Sequence, residues 1–306
     1  MMIHIPAFGF AVGAALLALG AIPLARLLLG PARLLDVPTG PLQVHARPVP
    51  RLGGVGIFAA VALLLPFIMR DTTGDDLAAA IALTAGVFFL GLADDGVHLS
   101  ARTRLAVQLA LGAAAALLGF RPHALPFAAD VLLAGLILVA ATNALNWLDG
   151  LDGLAGGVAA IAAAALAVAL HERGLPAWRD LDAGLCGALV AFLIYNLSRG
   201  RQKVFLGDCG SMSCGLLLAL SAMTLSRGQH AVRMQILPWV VLAVPLLELG
   251  ITVIRRALRG RSLLAGDRSH TYDVLIRHGV HVSRVVLLFW AAAALAGIVA
   301  LGFLEV

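Results

Sequence analysis

Five aspartates hold most of the chemistry this sequence could do: Asp94 and Asp95, Asp149 and Asp152, and Asp208. The stretch from Asn143 to Asp152 places Asn143, Asn146, Asp149 and Asp152 at a spacing of three, which on a helical backbone puts them on one face. Gly150 and Gly153 beside those carboxylates allow a backbone or a ligand phosphate to come close. Asp94 and Asp95 are adjacent at the end of a predicted helix, where such a pair can share a divalent cation, or one can bind while the other accepts a proton. Asp208 lies between two glycines near the hydroxyl of Ser211, in a Gly-Asp-Cys-Gly-Ser loop that opens a helix, and backbone N–H groups at a helix start attract phosphate. Hard oxygen donors without clustered Cys or His suit Mg²⁺ or Mn²⁺ and not zinc.

Positive charge and aromatic surface accompany the acids. Arg102, Arg104, Lys203 and Arg268 could neutralise a pyrophosphate or a lipid phosphate. His270, close to Asp267 and Arg268, could orient a phosphate oxygen or stabilise a leaving group. Phe205, three residues before Asp208, could stack on a base. His98, His278 and His281 lack such company and read as ordinary surface histidines. Glu248 is an isolated acid within a predicted span, where it could pair with a neighbouring helix or lie near the interface.

The elements that must position these groups are membrane helices. Hydrophobic residues make up 61% of the 306 and charged residues only 13%, against roughly 25% charged in a soluble domain. Apolar runs predict an all-α polytopic membrane protein of about ten spans, at 7–29, 53–69, 78–93, 105–120, 125–142, 154–170, 183–198, 210–226, 235–254 and 283–303. No segments alternate as a transmembrane barrel would require. Ile5 to Leu29 lacks a basic leader and a cleavage site, so it reads as a retained helix. No repeat or linker divides the chain, and residues 1–306 read as one domain. The net charge of +5 does not indicate nucleic acid, because Lys and Arg cluster in the loops after the odd-numbered spans. That asymmetry puts both termini outside and the polar motifs on the cytoplasmic face. Three cysteines with no CxxC are expected to be reduced. A carboxylate at the bilayer centre costs roughly 2.5–3.5 kcal/mol, so acids gathered in loops on one face mark a site at the membrane surface. A phosphoryl transfer from a nucleotide-activated donor to a lipid phosphate fits such a site, with positioning and charge neutralisation supplying the rate.

The motifs resemble those of the polyprenyl-phosphate N-acetylhexosamine-1-phosphate transferases, over about His45 to His281. The family's D-D-x-x-x-L-x-x-R-x-K pattern is met by Asp94, Asp95, Leu99 and Arg102, with Arg104 in place of Lys. Its N-x-x-N-x-x-D-G-x-D-G-L pattern is met by Asn143, Asn146, Asp149, Gly150, Asp152, Gly153 and Leu154. Phe205, Gly207, Asp208, Gly210 and Ser211 meet F-x-G-D-x-G-S, and His45, Pro48, Pro50, Gly53 and Gly54 meet H-x-x-P-x-P-x-x-G-G. The resemblance implies that Asp208 is the principal Mg²⁺ ligand with Asp149 as a second, and that Asp94 or Asp95 deprotonates or positions the lipid phosphate. It implies that Asn143, Asn146, Asp149 and Asp152 line the donor site with Phe205 against uracil, and that His45, Arg102, Arg104 and Arg268 serve the substrates. It further implies a multi-pass homodimer in a bacterial inner membrane. The substrates would be a UDP-N-acetylhexosamine, first UDP-GlcNAc, and undecaprenyl phosphate.

Two segments depart from the family. The fifth loop keeps only His270, followed by Tyr272 and Asp273, where members often have two or three histidines, and the segment after Asn196 lacks Pro-Ala. The rival readings are a CDP-alcohol phosphotransferase, whose Asp-Gly motif continues in a way Gly150 to Gly157 does not, and a cation-coupled transporter, which would place acids at midplane.

Overall fold

The computed structural model describes residues 6–29, 34–37, 47–71, 75–123, 125–227, 232–262 and 270–304. His45, Asp267 and Arg268 lie outside the described residues. Among the described residues twelve α-helices follow one another: α1 (Ala7–Leu29), α2 (Gly53–Ile68), α3 (Asp75–Val97), α4 (Ala101–Leu117), α5 (Phe127–Leu148), α6 (Leu154–Glu172), α7 (Pro176–Asn196), α8 (Gly207–Ser226), α9 (Val232–Val240), α10 (Ala243–Leu258), α11 (Thr271–Arg277) and α12 (Val282–Leu304). The described residues also form a two-residue antiparallel pair, β1 (Leu35–Asp36) with β2 (Val49–Pro50), in which Leu35 faces Pro50 and Asp36 faces Val49. Among the described residues, six helices are long and apolar enough to cross a membrane, and the bent pair of α9 and α10 makes a seventh if it is one span. The chain is therefore a polytopic membrane protein.

α8 is the central post. Its residues alternate small Gly, Ser, Cys and Ala with Leu and Met, and nearly all are buried, as a helix surrounded on every side requires. Small residues let neighbouring backbones close on it, the packing mode of membrane helices. A Cβ on Gly54 of α2 would lie 2.4 Å from Gly210, and one on Gly91 of α3 would lie 2.5 Å from Cys209. A Cβ on Gly215 would lie 2.6 Å from the Ala141 carbonyl of α5. Cys209 is thus a small packing residue at a crossing of three helices; all three cysteines are free thiols.

Local signals set the helix ends around the site. Ser100 caps α4 by accepting a 3.1 Å bond from the Thr103 amide, which separates it from α3 after a short turn. Pro176 opens α7 in the first turn, where its missing N–H is tolerated. α9 and α10 meet at an 83° bend. The turn at Val241 and Leu242 breaks the helix, with Pro238 before it and Pro245 after it. α10 is amphipathic in an unusual sense. Glu248, Thr252 and Arg256, four apart, are buried, while Leu247, Ile251, Ile254 and Leu258 are exposed.

Candidate active site

The N-termini of α2, α6 and α8 and the C-termini of α3, α5 and α7 come together at one end of the bundle. A cavity of about 500 Å³ opens there, with Asp36, Arg51, Asp95, Asp149, Asp152 and Asp208 among its walls. Lys203, Phe205 and Asn196 complete its polar and aromatic lining. The opposite end of the bundle holds separate ion pairs, Arg121 with Asp130, Arg179 with Asp180 and Arg227 with Asp76.

The floor is a backbone clasp. The Phe205 amide donates to the Pro50 carbonyl at 2.8 Å, and the Gly53 and Gly54 amides donate to the carbonyls of Phe205 and Leu206, each at 2.8 Å. Through this clasp Pro50, Gly53 and Gly54 of the first motif bind the segment leading into Asp208. The same clasp, with the β1–β2 pair, brings Arg51 to the cavity, where it bonds Asp36 at 2.8 Å and lies 3.8 Å from Asp95.

Asp94 and Asp95 occupy the last turns of α3 and point to different work. Asp94 accepts the Leu99 amide at 2.6 Å and pairs with the Arg104 guanidinium. Arg104 also reaches Asp208 at 3.2 Å, so it joins the two carboxylates. The Asp95 side chain is 0% exposed, with its oxygens turned to the start of α8, where they accept the Asp208 and Cys209 amides at 3.1 Å each. Asn146 donates to Asp208 at 2.9 Å and to Ser211 at 3.0 Å, and Ser211 donates back to the Gly207 carbonyl at 3.0 Å. Asn143 donates to Gln108 at 2.7 Å and stays behind this layer.

Several expectations change in detail. α5 ends at Leu148, so only Asn143 and Asn146 share a helical face; Asp149 and Asp152 lie on the turn that follows, with Gly153 at a φ of 80° starting α6. The room at Gly150 holds a protein group, not a ligand phosphate: a Cβ there would lie 2.1 Å from the Tyr272 hydroxyl oxygen. The first amides of α8 are already taken by Asp95, so the phosphate-attracting helix start is filled by a carboxylate. Arg104 is committed to carboxylates, and Arg102 is exposed and off the cavity wall. Lys203 pairs with Asp152 and sits 5.5 Å from the centre of the Phe205 ring. His270 is buried away from the cavity wall, 3.4 Å from Glu248 and stacked on Tyr272.

Sequence reasoning missed Arg51, Asp36 and Asn196. Arg51 stands inside the Pro-x-Pro-x-x-Gly-Gly motif, and that position was the available signal. Asn196 accepts the Gly153 amide at 2.6 Å and donates to Val204 at 3.0 Å, tying both acid-bearing turns to α7. Nothing local to Asp36 announces it.

The donor set suits a hard divalent cation. Among the described residues no three His, Cys, Asp or Glu side chains form a complete ligand group. Mg²⁺ commonly takes one or two carboxylates and completes its shell with water and substrate phosphate, so the cavity's aspartates fit it. The Asp149 carboxyl is pushed well above the usual carboxylate range, first by burial and then by the charges of Asp208 and Asp95. Its partial opening to the cavity limits the burial contribution. Carboxylates that repel each other in this way are stabilised by a cation between them.

A bundle of membrane helices with an acid-lined cavity at one end suits an integral membrane enzyme that acts on phosphates. Comparison with known proteins gives the family. The model of Glycosyl transferase family 4 matches residues 77–226, from α3 to the end of α8. The decaprenyl-phosphate N-acetylglucosaminephosphotransferase of Mycobacterium tuberculosis (strain CDC 1551 / Oshkosh) is 32% identical over 89% of this chain and 77% of its own. The probable undecaprenyl-phosphate N-acetylglucosaminyl 1-phosphate transferase of Bacillus subtilis (strain 168) is 27% identical, over 81% of this chain and 71% of its own. The undecaprenyl-phosphate alpha-N-acetylglucosaminyl 1-phosphate transferase of Yersinia pestis is 26% identical, over 82% and 72%. The chain belongs to this family of polyprenyl-phosphate phospho-N-acetylhexosamine transferases and is a phosphotransferase.

Proposed function

We propose that the protein transfers N-acetylhexosamine-1-phosphate from a UDP-sugar, first UDP-GlcNAc, to undecaprenyl phosphate, releasing UMP. The observation that carries this reading is the cavity at one end of the bundle, where Asp149, Asp152 and Asp208 meet Phe205 and Lys203. The relatives' names, which specify N-acetylglucosamine and polyprenyl phosphates, support donor and acceptor alike. The same reading takes ten spans, with α9 and α10 as one broken span, and this end facing the cytoplasm at a bacterial inner membrane; the distribution of Lys and Arg supports that orientation. A homodimer is part of the same proposal.

An oxygen of the lipid phosphate attacks the β-phosphorus of the donor. The new phosphoanhydride bond forms as the bond from that phosphorus to the UMP oxygen breaks, and UMP leaves with its electron pair. One anhydride replaces another, so the step is close to reversible. A phosphate monoester is mostly dianionic at neutral pH, its second pKa being about 6, so the nucleophile needs little help from a base. Asp94 therefore works by holding Arg104 beside Asp208, and Asp95 by fixing the start of α8. Arg51 and Lys203 supply positive charge to the diphosphate, and Phe205 offers its ring to the base. Asp208 and Asp149 would hold Mg²⁺, which when bound neutralises phosphate charge. Direct attack is preferred over an aspartyl intermediate because Asp94, Asp95 and Asp208 are each bound to protein donors.

The test is nucleotide release from purified protein given Mg²⁺, undecaprenyl phosphate and a panel of UDP-N-acetylhexosamines. Lipid-dependent UMP from UDP-GlcNAc supports the proposal. Cation-driven uptake into vesicles without UMP would replace it with a transporter.

A further inference from the structure

We propose that Glu248 is a positioning residue for the donor site, acting from the buried face of α10 through His270 and Tyr272 on the turn that carries Asp149 and Asp152. The inference rests on the donor reading above.

Glu248 is 3% exposed on a helix whose opposite face is open to lipid. One of its oxygens accepts the Thr271 amide at 2.7 Å and the Thr252 hydroxyl at 3.0 Å, and lies 3.4 Å from Nδ1 of His270. The carboxylate therefore caps the first turn of α11 from a different helix and fixes His270 in front of it. The His270 ring stacks on Tyr272, 5.1 Å between centres at 4°, and meets Trp147 edge-on at 5.6 Å. Tyr272 donates its hydroxyl to the Trp147 carbonyl at 3.1 Å and fills the space left by Gly150. Arg256, two turns along α10 from Glu248, lays its guanidinium over Trp147 at 4.5 Å.

A continuous path of contacts thus runs from Glu248 to the residue between Asp149 and Leu151. The far side of the same turn is held by Asn196 and by the Trp290 indole, which donates to the Gly153 carbonyl at 3.0 Å. Two supports grip one turn, and the α10 support acts on its Asp149 end. This accounts for a buried acid in an apolar helix and for a histidine that does not reach the cavity. A misplacement of the acids by about 1 Å is enough to cost substrate positioning.

The experiment compares wild type with Glu248→Gln, Tyr272→Phe and the double variant in detergent, measuring thermal stability, KM for each substrate and kcat. Gln keeps an acceptor for the Thr271 amide but loses the charge that orders His270. The expected result is a KM for UDP-GlcNAc raised about tenfold with an unchanged KM for undecaprenyl phosphate, and a double variant no worse than the weaker single one. Lower thermal stability with an unchanged donor KM would overturn the proposal, as would equal effects on both KM values or additive effects. If Glu248→Gln does not fold, Tyr272→Phe alone must show the donor-specific rise. A wild type that releases no UMP would sink the functional reading itself, whereas an active wild type with unaltered variants would sink only the positioning role.

Discussion

Asp95 accepts the backbone amides of Asp208 and Cys209 at 3.1 Å each, so one acid of the paired motif is the cap of the helix that carries another motif's acid. The cap also satisfies two of the donors that a helix start leaves open. Asp95→Asn turns an amide NH₂ toward one of these N–H groups. We expect a loss of about 2 kcal/mol in stability, because hydrogen bonds to charged groups contribute roughly 1.5–3 kcal/mol. Thermal unfolding in detergent measures it, alongside a fall in turnover; an unchanged melting point would show that the cap is dispensable.

Arg104 joins Asp94 to Asp208. Arg104→Ala leaves these carboxylates without their shared cation and displaces Asp208. The expected effect is a kcat reduced by about 10²-fold, the order seen when a preorganised electrostatic group is removed, with donor KM little changed. A rise in KM for the lipid phosphate alone would instead make Arg104 a direct substrate ligand.

Asp208→Asn keeps the contact to Asn146 but removes charge at the centre of the site. Turnover should vanish while folding and membrane insertion persist. Near-normal turnover at saturating Mg²⁺ would take Asp208 out of the mechanism. Chelation should likewise stop wild-type turnover, with recovery on adding Mg²⁺ or Mn²⁺ and none with Zn²⁺.

The raised pKa of Asp149 has a stability consequence of definite sign. The folded state holds this proton more tightly than the unfolded chain, whose Asp titrates at about 3.9, so stability falls as pH rises from there to the folded value. The penalty is complete above that window and absent below it. Asp149→Asn removes it, so the metal-free variant should melt higher than wild type at neutral pH, with the gain shrinking as pH is lowered through the window. An equal gain at every pH would refute the electrostatic origin.

The membrane architecture could be read from composition, because apolar runs of span length are a direct physical signal. The cavity's aspartates and Phe205 were also legible, since polar motifs in an apolar chain are few. What they do to one another was less so. The spacing of three from Asn143 to Asp152 suggests one helical face, but α5 ends at Leu148 and the chain turns at Asp149. Gly150 and Gly153 looked like room for a ligand, and tertiary packing by Tyr272 and Leu197 uses that room. Two of the partners of Glu248, His270 and Thr271, reach it from a separate segment, while Thr252 lies one turn along its own helix. Arg51 was one basic loop residue among many until the clasp of Pro50 and Phe205 brought it to the cavity. Local pattern encodes which residues are unusual; long-range contacts decide which of them touch.

The most direct measurement follows the β-phosphorus. UDP-GlcNAc labelled with ³²P at the β-phosphate is incubated with the protein, undecaprenyl phosphate and Mg²⁺, and the lipid and aqueous products are separated. Transfer of sugar-1-phosphate predicts label in the lipid product and unlabelled UMP in solution. Labelled UDP in solution with an unlabelled lipid would mean that only the sugar moved, and would contradict the account.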